Sequence, residues 1–216
     1  MDRHRRRMLL ALGLAPLAAP VTVFAQAKPG TYLVLNPPLP VEAQGKIEAI
    51  EFFWYGCPHC YDFEPLIEPW AKKLPSDVQF RRIPAVFNNP QWAFDAQIFY
   101  AFEALGLVDK LHRPLFDAIH RDHLRTNEPA ALDEWLRKHD VDPKKFGEVM
   151  KSFSVQSKTR RSAQLSLAYR ITGTPAMAVQ GAYTINLSEE VPTFAAMLQT
   201  ADYLIGVARK GMAAKS

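Results

Sequence analysis

The sequence predicts an α/β domain closed around an inserted all-helical domain, and three observations carry that reading. Residues 47–83 pattern as strand, helix and strand, a β-α-β unit; a stretch from about Asn88 to Tyr169 shows only helical periods; and strand patterning returns beyond Gly173. Strands on both sides of an unbroken helical block imply that the first domain closes around the second. The expected limits are residues 28–87 with 170–216 for the α/β domain and 88–169 for the helical insertion, after a signal peptide over residues 1–25.

The leader is set aside first. Met1 to Arg7 carries four arginines, and Met8 to Ala25 is apolar or small throughout. Pro16 and Pro20 interrupt this short span, which favours a cleavable segment, cut near Ala25 or Ala27, over a retained membrane anchor. No cysteine lies near the cleavage region, so a lipid anchor there is excluded. Arg5-Arg6-Arg7 followed by Met8-Leu9-Leu10 faintly suggests a twin-arginine signal, and the export route stays open. Without residues 1–25, Lys plus Arg falls from 26 to 22 and Asp plus Glu from 22 to 21, so the formal charge drops from +4 to about +1. A nearly neutral body argues against a nucleic-acid role. The remaining 191 residues suffice for one sizeable core with an inserted subdomain.

The elements follow in order. Thr31 to Leu35 reads as a short strand, Asn36-Pro37-Pro38-Leu39-Pro40 as a rigid connector, and Lys46 to Tyr55 as a buried strand ending at Gly56. Phe63, Leu66, Ile67, Trp70, Ala71 and Leu74 recur at helical spacing, with Pro65 and Pro69 expected to bend or interrupt that helix. Val78 to Ile83 alternates as a strand. Within the helical block, Asn89-Pro90 supplies an N-cap and first-turn proline to a stripe of Phe94, Ile98, Phe102 and Leu105 that stops at Gly106. Pro114 is expected to kink or restart the segment carrying Leu111, Leu115 and Ile119. Thr126 to Pro129 opens a helix with Leu132, Trp135 and Leu136; Asp142-Pro143 opens another with Phe146, Val149 and Phe153; a last one runs from about Val155 to Tyr169. These stripes read as core faces rather than a cofactor box. Ala176 to Gln180 and Tyr183 to Leu187 are strands around Gly181-Ala182, and a final helix spans about Val191 to Ala208.

Cys57-Pro58-His59-Cys60 holds the only two cysteines of the chain, placed where the second strand gives way to a helix. Two thiols at that spacing and junction describe a redox couple. A helix start presents unsatisfied N–H groups and the positive end of the macrodipole, which stabilise a thiolate at Cys57. Thiols so placed titrate at about 3.5 to 7.5, against about 8.5 for a free one. One titrating near 4 would favour the dithiol over the disulfide by roughly 4 kcal/mol at pH 7, about 90 mV more oxidising. Such a disulfide is one to give away. His59, between the two sulfurs, can donate a hydrogen bond or charge to Cys57, whereas His112, His120, His123 and His139 are expected to face solvent. Cys60, one turn further in, suits the resolving role. A purely stabilising staple is a weak alternative, because so short a loop removes only about 2 kcal/mol of unfolded-state entropy. Zinc is a poor alternative too, since two sulfurs and one awkwardly placed imidazole do not close a tetrahedral set.

Phe52-Phe53 ahead of Cys57-Pro58-His59-Cys60-Tyr61, Lys72-Lys73-Leu74-Pro75 at the end of the following helix, and Gly173-Thr174-Pro175-Ala176-Met177 together resemble the DsbA family of periplasmic thiol-disulfide oxidoreductases. The match covers nearly all of the chain beyond the leader. It implies a thioredoxin-like fold with an inserted all-helical domain. DsbA is itself among the cases that define the thiol range quoted above. The resemblance places Pro175 as a cis-proline beside the disulfide, where the neighbouring backbone is left free to pair with an extended peptide, and makes Thr174 and Pro175 substrate-binding. Thr174 departs from the valine of the best-known members, which leaves redox potential and partner preference open. Glu51 matches the family's buried acid, implied to assist proton movement at Cys60, with a strand-edge ion pair as its alternative role; Arg82 falls where the family often has a basic residue near that acid, although a surface charge is the default reading and a Glu51–Arg82 pairing the alternative. Pro58 and His59 join Cys57 and Cys60 as the catalytic set.

The expected function is therefore that of an exported dithiol oxidase, periplasmic and monomeric, which gives its disulfide to reduced, newly translocated proteins. The resemblance implies recharging by a quinone-linked membrane partner of the DsbB type. A disulfide isomerase or reductase of the same fold is the alternative, to which Thr174 hints, although no separate N-terminal domain for dimerisation is visible. A non-redox binding module is argued against by the intact cysteine pair. No bound metal or organic cofactor is expected.

Overall fold

The computed structural model of the protein describes residues 32–214, so the leader read over residues 1–25 lies outside the described residues. The elements run β1 (Leu33–Val34), β2 (Ile47–Phe53), α1 (Pro58–Lys72), β3 (Val78–Pro84), α2 (Pro90–Ala104), α3 (Val108–His120), α4 (Pro129–Lys138), α5 (Pro143–Met150), α6 (Phe153–Ala168), β4 (Ala176–Val179), β5 (Tyr183–Asn186) and α7 (Phe194–Ala213). Five helices thus separate β3 from β4.

One mixed sheet has the order β1-β5-β4-β2-β3. β2 pairs parallel with β3 and antiparallel with β4, which buries all seven of its residues. Its register sets Glu51 beside Arg82 on one side and Met177 on the other. Between β4 and β5 the chain turns through Gln180 and Gly181, both at positive φ (54° and 63°), and Ala182 N–H closes on Val179 O at 3.1 Å. That is the turn whose twist suits a two-residue hairpin. Glycine is further required because a Cβ on residue 181 would lie 2.1 Å from the Leu39 carbonyl oxygen.

Three expectations about the helices are corrected, the first only as to interruption. α1 and α3 run without interruption although Pro65 and Pro69 lie inside the first and Pro114 inside the second. An internal proline costs about 3 kcal/mol. The burial of Phe63 and Ile67 on α1, and of Leu111, Leu115 and Phe116 on α3, outweighs it. Leu66, counted into the α1 stripe, is 44% exposed. Phe153 does not join Phe146 and Val149 on a core face: the chain breaks after Met150, Ser152 caps a new helix, and Phe153 opens α6 on its outer side, 83% exposed.

The apolar interior places the cysteines. One cluster joins Phe53, Tyr55, Cys57 and Cys60 to Phe99, Leu115 and Phe116 of the helical block, while a second packs α1 and α7 on the sheet. The two-cysteine turn sits on the seam between sheet and inserted helices.

Candidate active site

β2 ends at Phe53, and α1 begins at Pro58 with Cys57 as its N-cap, at φ −87° and ψ 114°. The connecting turn is held by Cys57 N–H donating to Trp54 O at 3.0 Å. Pro58 occupies the first helical position, where a missing N–H costs nothing, and no acidic residue lies in the first turn to oppose an anion. Gly56 is required here, since a Cβ would meet the Trp54 ring at 2.3 Å. Trp54 is fixed in turn by its Nε1–H to Asp95 Oδ2, 2.7 Å, and by stacking on Trp92 at 4.2 Å.

Both cysteines are free thiols and buried, Cys57 at 7% exposure and Cys60 at 0%. Their acidities move in opposite directions. The hydrogen bond from the Cys60 thiol, the Thr174 side chain and the backbone amides of Cys60 and His59 together overcome burial and bring Cys57 down to about 6. Burial, with the Cys57 sulfur close by, pushes Cys60 well up. The helix start supplies its donors to the first sulfur and its interior to the second.

Thr174-Pro175 lies across from this turn, and its peptide bond is cis. The neutral Cys57 thiol donates to Thr174 O at 3.2 Å. That contact favours the thiol, so the low ionisation of Cys57 is achieved against it by the other donors.

Under the cysteines, Arg82 links two buried carboxylates: its Nε–H donates to Glu51 Oε2 at 3.0 Å and its Nη2 to Glu64 Oε2 at 3.3 Å. Glu64 Oε1 meets His112 Nε2 at 3.2 Å, and His112 Nδ1 meets the Tyr55 hydroxyl at 2.9 Å. Glu51, Glu64, His112 and Tyr55 are each buried. Burial raises Glu51 to about 8 despite Arg82, and its Oε1 has no hydrogen-bond partner in the described protein. Glu64 goes the other way: burial alone would raise it, but His112 and Arg82 hold it below the usual carboxylate range. Burial holds His112 below the ordinary imidazole range, so the ring is neutral, donating from Nε2 to Glu64 and accepting from Tyr55 at Nδ1. A cleft of about 700 Å³ between α1, β3 and α3 is lined by Glu64, Arg82 and His112 and by neither cysteine.

The family model described as DSBA-like thioredoxin domain matches residues 48–199. The thiol:disulfide interchange protein DsbA of Azotobacter vinelandii is 45% identical over 175 residues, covering 81% of this chain and 80% of its own. That of Bordetella pertussis is 40% identical over 200 residues, covering 93% and 94%. The crystal structure of Pseudomonas aeruginosa DsbA agrees with a TM-score of 0.79 at 40% identity, covering 86% of this chain and 95% of that one. The chain belongs to the DsbA family. It is a protein disulfide oxidoreductase with the family's thioredoxin fold and helical insertion.

The structure brings Cys57, Cys60, Thr174 and Pro175 to one mouth and Glu51 and Arg82 to the floor below it. Pro58 and His59 are exposed, and it is the backbone amide of His59 that helps hold the Cys57 sulfur. The expectation that the histidines face solvent fails for His112, which is 5% exposed, and for the half-buried His120 and His139; His123 is exposed. His112 neighbours Leu111 and precedes Leu115 and Phe116 by three and four residues, so it belongs to the buried stripe of α3. Glu64 carried a comparable signal, standing four residues after Cys60 on the same face of α1.

Proposed function

We propose that this DsbA-family chain is an exported, periplasmic and monomeric dithiol oxidase that donates its Cys57–Cys60 disulfide to reduced, newly translocated proteins. A quinone-linked membrane partner of the DsbB type recharges it. The opposite displacement of the two thiols carries this reading. A client thiolate attacks the Cys57 sulfur of the oxidised form, the Cys57–Cys60 bond breaks, and Cys60 leaves. Glu51, which burial keeps protonated at neutral pH, supplies Cys60 with its proton, and Arg82 holds that carboxyl in place. A second client thiolate then attacks the client sulfur of the mixed disulfide and expels Cys57 as thiolate. Glu51 regains its proton from solvent at neutral pH, so two electrons and one net proton enter the enzyme, leaving the client with a disulfide. The partner removes the electrons.

Pro58 starts the helix that stabilises the leaving Cys57 thiolate, and His59 adds its amide and imidazole at the same end. Thr174 and Pro175 offer an extended client a backbone to lie along. We read residues 28–87 with 170–216 as the redox domain and 88–169 as the insertion that walls the client site. The sign of the energetics follows from Cys57. A depressed thiol stabilises the reduced protein fully above about pH 8.5 and not at all well below pH 6. At pH 7 the gain is about tenfold, roughly 1.4 kcal/mol or about 30 mV, less than a thiol titrating near 4 would give. Thr174 favours keeping the isomerase or reductase reading as the rival.

Equilibration of the mature protein with glutathione separates the two. An oxidase lies well above the potential of about −270 mV typical of thioredoxin, and a value near that figure overturns the proposal. Cys57→Ser is expected to abolish oxidation of a reduced model client, and retained activity in that variant would overturn the mechanism.

A further inference from the structure

Between the end of β2 at Phe53 and the start of α1 at Pro58, the backbone has left the sheet ladder and not yet entered the helix. Tyr55, in the middle of this stretch, is fully buried, so its carbonyl needs a protein donor. His120, on the last turn of α3, provides it: Nε2 lies 2.8 Å from Tyr55 O and must carry the proton, because a carbonyl only accepts. The same imidazole stacks on the Tyr61 ring at 4.8 Å and 18° between planes. Tyr55 stands two residues before Cys57, and Tyr61 follows Cys60 directly.

We infer that His120 is a positioning residue for Cys57: from the helical insertion it grips both flanks of the two-cysteine turn at once, the entering strand by a backbone carbonyl and the departing helix by ring stacking. Neighbours on α3 reinforce each grip, since His112 receives the Tyr55 hydroxyl at 2.9 Å and Asp117 receives the Tyr61 hydroxyl at 2.8 Å. Rotation of the peptide after Tyr55 would carry Cys57 out of the N-cap conformation in which it faces the first-turn amides. The insertion therefore sets the reactivity of a sulfur that belongs to the other domain.

This deepens the reading of Cys57 as the reactive thiolate and rests on it. The experiment compares His120→Gln, which can still donate near the ring Nε2 position, with His120→Leu, which fills similar volume and cannot. Thiolate absorbance is titrated in the reduced proteins, and each is equilibrated with glutathione. The Leu variant is expected to raise the Cys57 ionisation by about half a unit or more, with a roughly threefold or greater shift of the glutathione equilibrium toward disulfide. The Gln variant is expected to restore most of both. Equal displacement in the two variants, or a loss of thermal stability with unchanged ionisation and equilibrium, overturns the role of His120. An ordinary alkaline ionisation in the unaltered protein instead overturns the underlying reading of Cys57, so the two failures are distinguishable.

Discussion

The mouth of the two-cysteine turn and the floor beneath it handle buried charge by opposite means. At the mouth, Cys57 is favoured as an anion by neutral donors, a thiol, a side chain and two backbone amides. On the floor, the Arg82–Glu64 ion pair interlocks with a carboxyl, Glu51, that takes the same guanidinium and that burial keeps protonated, with neutral His112 and Tyr55 closing the chain. An anion held by dipoles can be created and discharged near neutral pH without leaving an opposite charge stranded. Interlocked ions can change only together, because removing one leaves another buried and alone. The molecule puts the exchanging thiol at the mouth and, below it, a fixed ion pair beside the one floor carboxyl, Glu51, that burial leaves with a proton to give.

The floor should therefore be the more fragile region. His112→Phe keeps the aromatic packing against Phe53 and Phe116, whose ring centroids lie 5.1 and 5.2 Å from the imidazole. It strips the donor from Glu64 and the acceptor from Tyr55. A loss of about 3 kcal/mol is expected in denaturant unfolding at pH 7. The difference from the unaltered protein should narrow on acidification. Below about pH 6.5 the unfolded chain protonates this imidazole while the folded one resists, so the native protein loses stability there and the variant has no such histidine to lose it through. A constant difference between pH 7 and pH 5 would contradict a neutral His112.

Glu51→Gln tests the same floor with the reverse sign. Glu51 titrates near 8 in the fold against about 4.3 in an unfolded chain, so folding retains a proton over that interval and stability falls as pH rises through it. An amide resembles the protonated acid and has no such dependence. The variant should be more stable by about 2 kcal/mol at pH 7, discounted for the shared guanidinium, with the gain vanishing near pH 4. Client oxidation should slow, since the proton for Cys60 is gone. Lower stability at pH 7 would show that Glu51 is ionised.

The contrast also explains what was legible. The mouth is local: strand, Gly56, Cys57 and Pro58 follow one another along the chain, so spacing and helix-start chemistry were enough to locate the thiol. Pro175 came from a motif 118 positions beyond Cys57 and needed the family resemblance. The floor is assembled from β2, β3, α1 and α3, and its logic lies in register. Glu51 meets Arg82 because parallel pairing sets them side by side, and no local pattern fixes that register. Charged neighbours give His112 the pattern of a surface residue and hide the buried stripe in which it lies with leucine and phenylalanine. The prolines inside α1 and α3 do not end those helices for a related reason: propensity is local, whereas the burial that overrides it is tertiary.

The smallest expected effect sharpens the account of the mouth. Thr174 acts on Cys57 in two ways, its backbone carbonyl accepting from the neutral thiol at 3.2 Å and its side chain helping to lower the thiol's ionisation. Thr174→Val removes the hydroxyl and keeps both the carbonyl and the branched shape. The part that favours the thiol survives, and one part that favours the thiolate is lost. Cys57 should therefore titrate a few tenths of a unit higher, read from thiolate absorbance against pH, with stability within about 0.5 kcal/mol of the unaltered protein. A shift this small is expected because the Cys60 thiol and the helix-start amides, which remain, account for most of the displacement. If the valine variant instead titrated lower, the hydroxyl would have to be serving the thiol rather than the anion, and the division of labour at the mouth would be the reverse of the one argued.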